Sequence, residues 1–208
     1  MKILALDSSG LVASVAVVEN DTLLAEYTVN YKKTHSQTLL PMLDEISNMT
    51  ELDLSTIDAI AVAGGPGSFT GLRIGSATAK GLGLALEKPL ISIPTTAAIA
   101  YNIWDTDKFV CPIMDARRNQ VYTGVYCYTD HRLDTVWEQD TMSIEALAEG
   151  LNCLDHEVIF LGDGVAVYRE KLEALLTIPF SFAPAHVNRQ RAAAVGAPVS
   201  YTHLRAHE

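Results

Sequence analysis

The sequence predicts an α/β protein made of two related lobes. Two stretches share one plan, in which an apolar strand ends in an aspartate, a tight polar turn follows and a second strand returns: ILALDSSGLVASVAVV from Ile3 and VCPIMDARRNQVYTGVYCY from Val110. A plan that recurs within one chain indicates a duplicated unit. Aspartate is also a common turn former, which leaves open that two unrelated hairpins begin in the same way. The 208 residues, 49% of them apolar, are enough for two lobes of about 100 residues each.

Hydrophobic patterning places the elements of each lobe. In the first lobe it predicts, in order, strands Lys2–Leu6, Val12–Val18 and Leu23–Val29, helix His35–Met49, strand Ile57–Ala63, helix Phe69–Leu86, strand Leu90–Ile93 and helix Thr95–Ile103. In the second lobe it predicts strands Phe109–Met114, Val121–Tyr128 and Asp134–Gln139, helix Ile144–Leu151, strand Val158–Leu161 and helix Val165–Leu176. The polar stretch that begins at Trp104 is the best candidate linker, so we set the domain limits at 1–104 and 105–197.

Charge and composition exclude several classes of function. The formal net charge of −10 argues against autonomous nucleic-acid binding, which needs a basic surface, but not against membership of a complex whose partner holds the nucleic acid. The sequence has neither an apolar run long enough to span a bilayer nor a signal peptide, so we expect no membrane contact and a cytoplasmic location. The three cysteines are widely spaced and are expected to be free core residues.

A glycine-rich loop, Gly64 to Gly71, follows a buried strand and opens a helix. Backbone amides in such a position can cradle an anion. The loop lacks the lysine of a P-loop, however, and Pro66 removes a donor, so we favour a structural turn. In the following helix, small residues recur every four positions and indicate that another backbone approaches closely: Gly71, Gly75, Ala79 and Gly83. That backbone is either the protein's own sheet or a partner's helix.

Asp7 and Asp115 end the first strand of each lobe, where α/β sheets usually bind ligands. Two facing carboxylates could hold Mg²⁺ beside a nucleotide, which supports an alternative function as a nucleotide-dependent kinase or ATPase. Arg117 would occupy the space of the phosphates, and Asp163 lies in a Gly-Asp-Gly turn. Because the histidines and cysteines lack the spacing of a catalytic or metal site, we expect no catalytic residue, no metal and no cofactor.

Four motifs resemble the TsaB (YeaZ) family: ILALDSS at 3–9, HSQTLLPML at 35–43, GGPGSFTGLRIG at 64–75 and MDARRNQVY at 114–122. The resemblance continues through LGDG at 161–164 and NRQRAAAVGA at 188–197, and covers about 195 residues. It implies a two-lobed acetate-kinase/actin/Hsp70-like (ribonuclease H-like) fold with a reduced second lobe. It also implies a noncatalytic scaffold subunit in the synthesis of threonylcarbamoyladenosine beside the tRNA anticodon.

The catalytic sister subunit of that family, TsaD, carries a His-x-x-x-His metal motif after the strand that corresponds to Leu90–Ile93. Here the segment reads PTTAAIA at 94–100, without histidine. The resemblance therefore implies that this chain lacks the metal and the transfer chemistry. A third interpretation, a peptidase, lacks a nucleophile and metal ligands.

The resemblance also implies partners and site residues. The partners are a TsaD-like catalytic subunit and a TsaE-like ATPase, with a homodimer when the chain is alone and tRNA contacted only through the complex. We assign the partner interface to His35, Leu39, Met42, Leu43, Ile46, Leu72, Gly75 and Ala79. The signature loop comprises Gly65, Pro66, Gly67, Ser68, Phe69, Thr70, Gly71 and Arg73. A vestigial cleft is assigned to Asp7, Ser8, Asp115, Arg117, Arg118 and Asp163.

Two further expectations concern the cleft and the end of the chain. We expect Arg117 or Arg118 to pair with a carboxylate such as Asp7 or Asp163 and to hold the lobes closed. Residues 198–208 depart from the family pattern, and we expect them to be an atypical or truncated tail.

Overall fold

The computed structural model describes residues 1–31 and 38–205, with side chains described up to residue 199. The predicted interface residue His35 lies outside the described residues. Within the described ranges, the chain forms ten strands and six α-helices.

The first lobe is built on a five-stranded sheet in the order β3-β2-β1-β4-β5. Its strands are β1 (Lys2–Asp7), β2 (Val12–Glu19), β3 (Thr22–Asn30), β4 (Ala59–Ala63) and β5 (Leu90–Ile93). The first three strands form an antiparallel meander, whereas β4 and β5 run parallel to β1. The meander and both later strands were predicted from the alternation of apolar runs with turns.

The second lobe repeats this sheet. Its strands are β6 (Phe109–Arg117), β7 (Gln120–Thr129), β8 (Arg132–Ser143), β9 (Val158–Leu161) and β10 (Phe180–Phe182), in the order β10-β9-β6-β7-β8. As in the first lobe, three antiparallel strands are followed by two strands parallel to the first of them. The duplication that the Asp-turn plan predicted is therefore confirmed, and Asp7 and Asp115 occupy corresponding strands.

Helices α1 (Leu39–Thr50) and α2 (Phe69–Leu86) cover one face of the first sheet. Their inward residues join alternate residues of the central strands, among them Leu4 and Leu6, in one apolar core. Period-2 alternation in a strand and a period of 3.6 in a helix are the patterns that such packing requires. The face that α2 buries is the small-residue stripe, and Ala79 is fully buried within the core.

The opposite face of the first sheet packs against α6 (Ala192–Arg205), a helix that the sequence patterning did not predict. Strand residues on this face are small, including Ala5 and Ala16, so the helix comes close. An added Cβ at Gly196 would lie 3.1 Å from the Cβ of Ala5. The short side chains therefore fix how near α6 can lie to the strands.

Side chains of the meander satisfy the first amides of α6. The backbone N–H of Ala192 donates to Ser14 Oγ at 2.8 Å in a buried site, and that of Ala193 donates to Glu26 Oε1 at 3.0 Å. Arg191 Nε also donates to the Glu26 carboxylate at 3.0 Å. Because the first amides of a helix lack partners within the helix, these strand side chains act as its N-cap.

The compact units differ from the domain limits set on the sequence. One unit consists of Met1–Ala98 together with the chain from Gln190 onward, and the other of Ile99–Arg189. The polar stretch at Trp104 suggested a boundary at 104, but residues 99–104 belong to the second unit. Residues 190–197, assigned to the second lobe, instead begin the helix that packs on the first sheet.

The second lobe carries two helices, α4 (Ile144–Asn152) and α5 (Gly164–Leu175), which enclose its own apolar core with the strands. A short helix, α3 (Thr95–Ala100), follows β5 and ends three residues before the predicted limit. Strand β10 was not predicted, because three residues are too few for a periodic signal. In the part of the chain that the structure describes, no helix is long and apolar enough to cross a bilayer.

The contact between α6 and β2 gives a test of the fold. Replacing Ser14 by alanine should lower the free energy of unfolding by about 1–3 kcal/mol, because a buried N–H at the start of α6 would lose its acceptor. Urea denaturation followed by circular dichroism measures the change. Thr22, an exposed residue at the start of β3, provides the control Thr22→Val, for which we expect less than about 0.5 kcal/mol. Equal effects of the two substitutions would contradict the assigned cap.

Candidate functional site

The turn after β1 is closed by its own side chains. The Asp7 carboxylate Oδ1 accepts hydrogen bonds from Ser9 N at 2.8 Å and from Ser9 Oγ at 2.7 Å, and all three residues of the turn, Asp7 to Ser9, are buried. Ser8 Oγ donates to the carbonyl oxygen of Gly71 at 2.8 Å. In this arrangement, Asp7 organises the turn and Ser8 fastens it to the start of α2.

The signature loop packs directly against this turn. The N–H of Ser68 donates to the carbonyl oxygen of Ser9 at 2.7 Å, and a Cβ at Gly67 would lie 2.3 Å from that same oxygen. On the other side, Gly65 exchanges two hydrogen bonds with Thr95, from Gly65 N to Thr95 Oγ1 at 3.0 Å and from Thr95 N to Gly65 O at 2.8 Å. These amides serve the lobe itself, which supports the structural turn over the anion cradle.

The small-residue stripe of α2 is internal. A Cβ added at Gly75 would lie 2.5 Å from Ser8 Oγ, and one added at Gly83 would lie 2.8 Å from a methyl carbon of Leu90. The structure that approaches α2 closely is therefore its own sheet and the turn after β1, mainly through the side chains of Ser8, Val62 and Leu90. Of the two interpretations left open by the sequence, the sheet of the same lobe is the correct one.

The structure buries most of the face that the sequence analysis assigned to a partner. Six of those residues lie in the interior of the first lobe: Leu39, Met42, Leu43, Ile46, Gly75 and Ala79. Leu72 is half-buried. The prediction that the six buried residues form a partner interface is wrong, because amphipathic spacing identifies an apolar face without telling what covers it. Here the sheet covers it.

The outward side of α2 has a different character. A groove of about 790 Å³ runs between α2 and the edge strand β5, and it is lined by exposed residues that include Phe69, Arg73, Ala77, Lys80, Leu90 and Ser92. We call it the α2–β5 groove. Phe69 is 72% exposed and Leu84, on the same helix, 84%. The Arg73 guanidinium lies 4.6 Å from the centre of the Phe69 ring, within the range of a cation–π contact.

In the second lobe, the structure brings Asp115 and Asp163 together. The N–H of Asp115 donates to Asp163 Oδ1 at 3.3 Å, and the Tyr168 hydroxyl donates to Asp115 Oδ1 at 3.2 Å. Burial raises the pKa of the Asp163 carboxyl, and the backbone N–H of Asp115 partly opposes that shift. Burial, followed by the nearby Asp115 carboxylate, raises the pKa of the Tyr168 hydroxyl. A pairing of Asp7 with Asp115 across a cleft stays a prediction.

The turn after β6 holds three successive non-glycine residues in the left-handed region: Arg117, Arg118 and Asn119, with φ angles of 68°, 52° and 62°. Each such residue costs on the order of 1–2 kcal/mol relative to ordinary backbone. The Asn119 side chain is held from two helices, since its Nδ2 donates to Glu145 Oε2 at 2.7 Å and Lys171 Nζ donates to its Oδ1 at 2.5 Å. Lys171 also donates to Glu145 Oε1 at 3.0 Å.

The structure shows an arginine–carboxylate pair within one turn, which is not the pair with Asp7 or Asp163 that was expected to hold the lobes closed. Arg117 Nη1 lies 3.3 Å from Asp115 Oδ2, so the pair joins two residues of one turn rather than reaching Asp163. The Arg117 side chain is 87% exposed, and a pair so exposed contributes at most about 0–1 kcal/mol. Arg118 forms no ion pair with any residue that the structure describes.

No group of three or more histidine, cysteine, aspartate or glutamate side chains is arranged to hold a metal within the described residues. The three cysteines are free, as predicted, although Cys153 is exposed rather than in the core. Burial raises the pKa of the Cys111 thiol to about 12, which makes it a poor nucleophile.

The strand order, repeated in each of the two sheets, defines a class of protein, and comparison with solved structures supports that class. An inorganic polyphosphate/ATP-glucomannokinase from Arthrobacter sp. strain KM aligns over 99% of this chain and 99% of its own, with a TM-score of 0.53 and 14% identity, a likeness that concerns the fold alone. YeaZ from Pseudomonas aeruginosa aligns over 99% of this chain and 93% of its own, with a TM-score of 0.83 and 25% identity. The chain has the two-lobed actin-like fold, as the motifs implied.

Sequence comparison narrows the class to a family. A family model described as TsaD, tRNA N6-adenosine threonylcarbamoyltransferase, matches residues 22–205. The tRNA threonylcarbamoyladenosine biosynthesis protein TsaB of Bacillus subtilis is 35% identical over 176 residues, which are 85% of this chain and 77% of that protein. The chain belongs to the TsaB (YeaZ) family.

Two features of the site were missed at the sequence level. The α2–β5 groove was missed because isolated apolar residues alternate with Arg73 and Lys80 in its lining. In the sequence, such a pattern is typical of an ordinary solvent-exposed helix face. The polar brace around Asn119 was missed because its members are 26 and 52 residues apart in the chain. Helical spacing within α5 gives no sign that Lys171 reaches a turn in another element.

Two glycines of α2 provide a matched test of its packing. Gly75→Ala should lower the free energy of unfolding by about 1–3 kcal/mol through overpacking against Ser8, less the gain of up to about 1 kcal/mol in helix propensity. A Cβ added at Gly81 would have no atom within 4 Å. Gly81→Ala should therefore stabilise the protein through the gain in helix propensity alone. Thermal and urea denaturation of both variants measures these changes in stability. Stabilisation of similar size in both would show that α2 does not approach the turn after β1 closely.

Proposed function

We propose that the chain is a noncatalytic scaffold subunit of the machinery that makes threonylcarbamoyladenosine in tRNA. The observation that carries the proposal is the 35% identity to a TsaB protein over 85% of the chain. The geometry of the first lobe supports the noncatalytic role. The carboxylate of Asp7 organises its own turn, and the amides of Gly65 and Ser68 are used within the lobe, which favours a structural function for the motifs that other actin-like proteins use for phosphates.

The partners proposed are a TsaD-like catalytic subunit and a TsaE-like ATPase, with a homodimer when the chain is alone. The net charge of −10 supports a tRNA contact that depends on the complex, because an acidic chain repels a phosphate backbone. The α2–β5 groove is the better-supported partner surface of the first lobe. It combines exposed Phe69 and Leu90 with the small side chain of Ala77, so that a partner's apolar residue could enter beside α2.

Reconstitution tests the scaffold role. The catalytic subunit and the ATPase should form threonylcarbamoyladenosine on tRNA efficiently only when this chain is added, and this chain alone should form none. The product is measured by liquid chromatography of nucleosides from digested tRNA. Equal formation with and without this chain would contradict the proposal.

Nucleotide binding separates the scaffold from the kinase or ATPase alternative. Calorimetry of the isolated chain with ATP and Mg²⁺ should detect no binding tighter than about 10 μM, roughly −7 kcal/mol. The physical reason is that Asp7 Oδ1 and the amides of Gly65 and Ser68 already have hydrogen-bond partners in the lobe. Tight binding accompanied by phosphate release would favour the alternative, and Asp7→Asn and Asp115→Asn would then show which carboxylate is required.

A substitution in the α2–β5 groove tests the surface. Ala77 is exposed on α2, and Ala77→Arg should weaken binding to the catalytic subunit and the homodimer at least tenfold by filling the groove, with a thermal midpoint within about 2 °C of the parent. Ala174, an exposed alanine of α5 in the second lobe, provides the control Ala174→Arg. Pull-down and light scattering measure the two associations. Full binding by the Ala77 variant would place the interface elsewhere.

A further inference from the structure

The turn formed by Arg117, Arg118 and Asn119 is the most constrained exposed segment of the second lobe. Its three residues all have positive φ, and Arg118 and Asn119 are the two central residues of the β6–β7 hairpin, where the common two-residue turn requires that conformation. The Asp130-His131 turn of the β7–β8 hairpin also has positive φ, so the feature that distinguishes the first turn is its polar bracing. The question is which side chains this turn presents.

The surroundings impose the conformation through polar contacts from three elements. From β6, Asp115 Oδ1 accepts the N–H of Arg117 at 3.0 Å, and the Tyr168 hydroxyl of α5 donates to the same carboxylate. Glu145 of α4 and Lys171 of α5 hold the Asn119 side chain. These contacts go to the backbone and to Asn119, at either end of the turn.

The two arginine side chains are left out of this brace. The Arg117 guanidinium is 87% exposed with only the 3.3 Å contact to Asp115, and Arg118 is exposed without an ion pair among residues 1–31 and 38–199. A guanidinium is the group that proteins use most readily to bind an oxyanion with two hydrogen bonds. Because the turn is already rigid, less conformational freedom is lost when an oxyanion binds.

The chemistry of the tip favours phosphate over a carboxylate of a partner protein. Arginine is also common in protein interfaces, but there it accompanies the aromatic and apolar residues that form the interface core. The tip from Ala116 to Gln120 has four exposed residues, all of them polar or charged. Phosphodiester groups, in contrast, are bound mainly by arginine, lysine and exposed polar side chains.

We propose that Arg117 and Arg118 form a contact site for the phosphodiester backbone of the RNA substrate when the chain is part of its complex. The site rests on the proposed function. With a chain charge of −10, the site acts as an auxiliary contact that positions RNA held by another subunit. This proposal gives the exposed arginines of the MDARRNQVY motif a role that does not require a nucleotide in the cleft.

Salt dependence of RNA binding gives the sharpest test. The complex is assembled from this chain, the catalytic subunit and the ATPase, and its affinity for unmodified tRNA is measured by fluorescence anisotropy between 50 and 300 mM KCl. Each phosphate contact contributes about 0.7–0.9 to the slope of log K against log salt. Arg118→Ala should reduce the slope by about that amount and weaken RNA binding severalfold at low salt. The double variant with Arg117→Ala should reduce the slope further. Arg118→Lys, which keeps the charge, should retain most of the slope.

The control is Arg132→Ala, which makes the same change of charge at an exposed residue at the far end of the β7–β8 hairpin. We expect it to leave the slope unchanged. Equal slopes for Arg118→Ala and the parent, or equal losses for Arg118→Ala and Arg132→Ala, would overturn the proposal.

Assembly of the complex is followed by size-exclusion chromatography in the same samples. Loss of assembly in the Arg118→Ala variant would identify the tip as a protein contact and would also overturn the RNA site. The parent samples report separately on the proposed function, because modification that proceeds without this chain contradicts the scaffold role whatever the variants do. A normal requirement for the chain with an unchanged Arg118→Ala slope contradicts the RNA site alone.

Discussion

The close approach of α2 to the turn after β1 is the contact on which the first lobe depends. Ser8 Oγ bonds to the Gly71 carbonyl oxygen, Ser68 N bonds to the Ser9 carbonyl oxygen, and Gly67 and Gly75 leave no space for a side chain between the two segments. The side-chain bond of Ser8 and the close approaches at the two glycines each require a particular residue type, which explains why the glycine-rich loop and the Asp-Ser-Ser turn are both needed. The loop has the form of an anion cradle, but its Gly65 and Ser68 amides donate to other groups of the protein. Packing within the lobe is therefore sufficient to explain the glycine-rich motif.

The second lobe forms the corresponding turn with different side chains. In both lobes an aspartate at or near the end of the first strand accepts the N–H of the residue two positions later, from Ser9 to Asp7 and from Arg117 to Asp115. In both, glycines let the loop after the fourth strand approach the first strand. A Cβ at Gly162 would lie 2.2 Å from the carbonyl oxygen of Ile113. The first turn is buried under α2, whereas the second projects two arginines into solvent. The duplicated fold thus provides one closed turn and one exposed turn.

The sequence predicts the sheets and the long helices well, because their signals are local. The apolar runs of β1 and β4 and the period of α2 lie within single segments, and α2 was predicted with its observed bounds. The assignment of burial was less successful. Leu39 and Ala79 were placed at a partner interface although they lie in the lobe's own core, since amphipathic periodicity carries no information about which surface covers an apolar face. Helix α6 was missed as an element of the first lobe because its cap residues, Ser14 and Glu26, lie more than 160 residues earlier.

Burial of the small-residue stripe has a consequence for how the chain can serve as a scaffold. If the stripe faced a partner, α2 would have to leave its sheet, and the core around Ala79 would open. With the stripe buried, α2 is fixed on one side and free to present Phe69, Ala77 and Leu84 on the other without any rearrangement. A rigid helix that already displays its contact residues binds without the cost of ordering them. In the proposed scaffold, the buried glycines of α2 would serve association only indirectly, by holding the opposite face of the same helix in position.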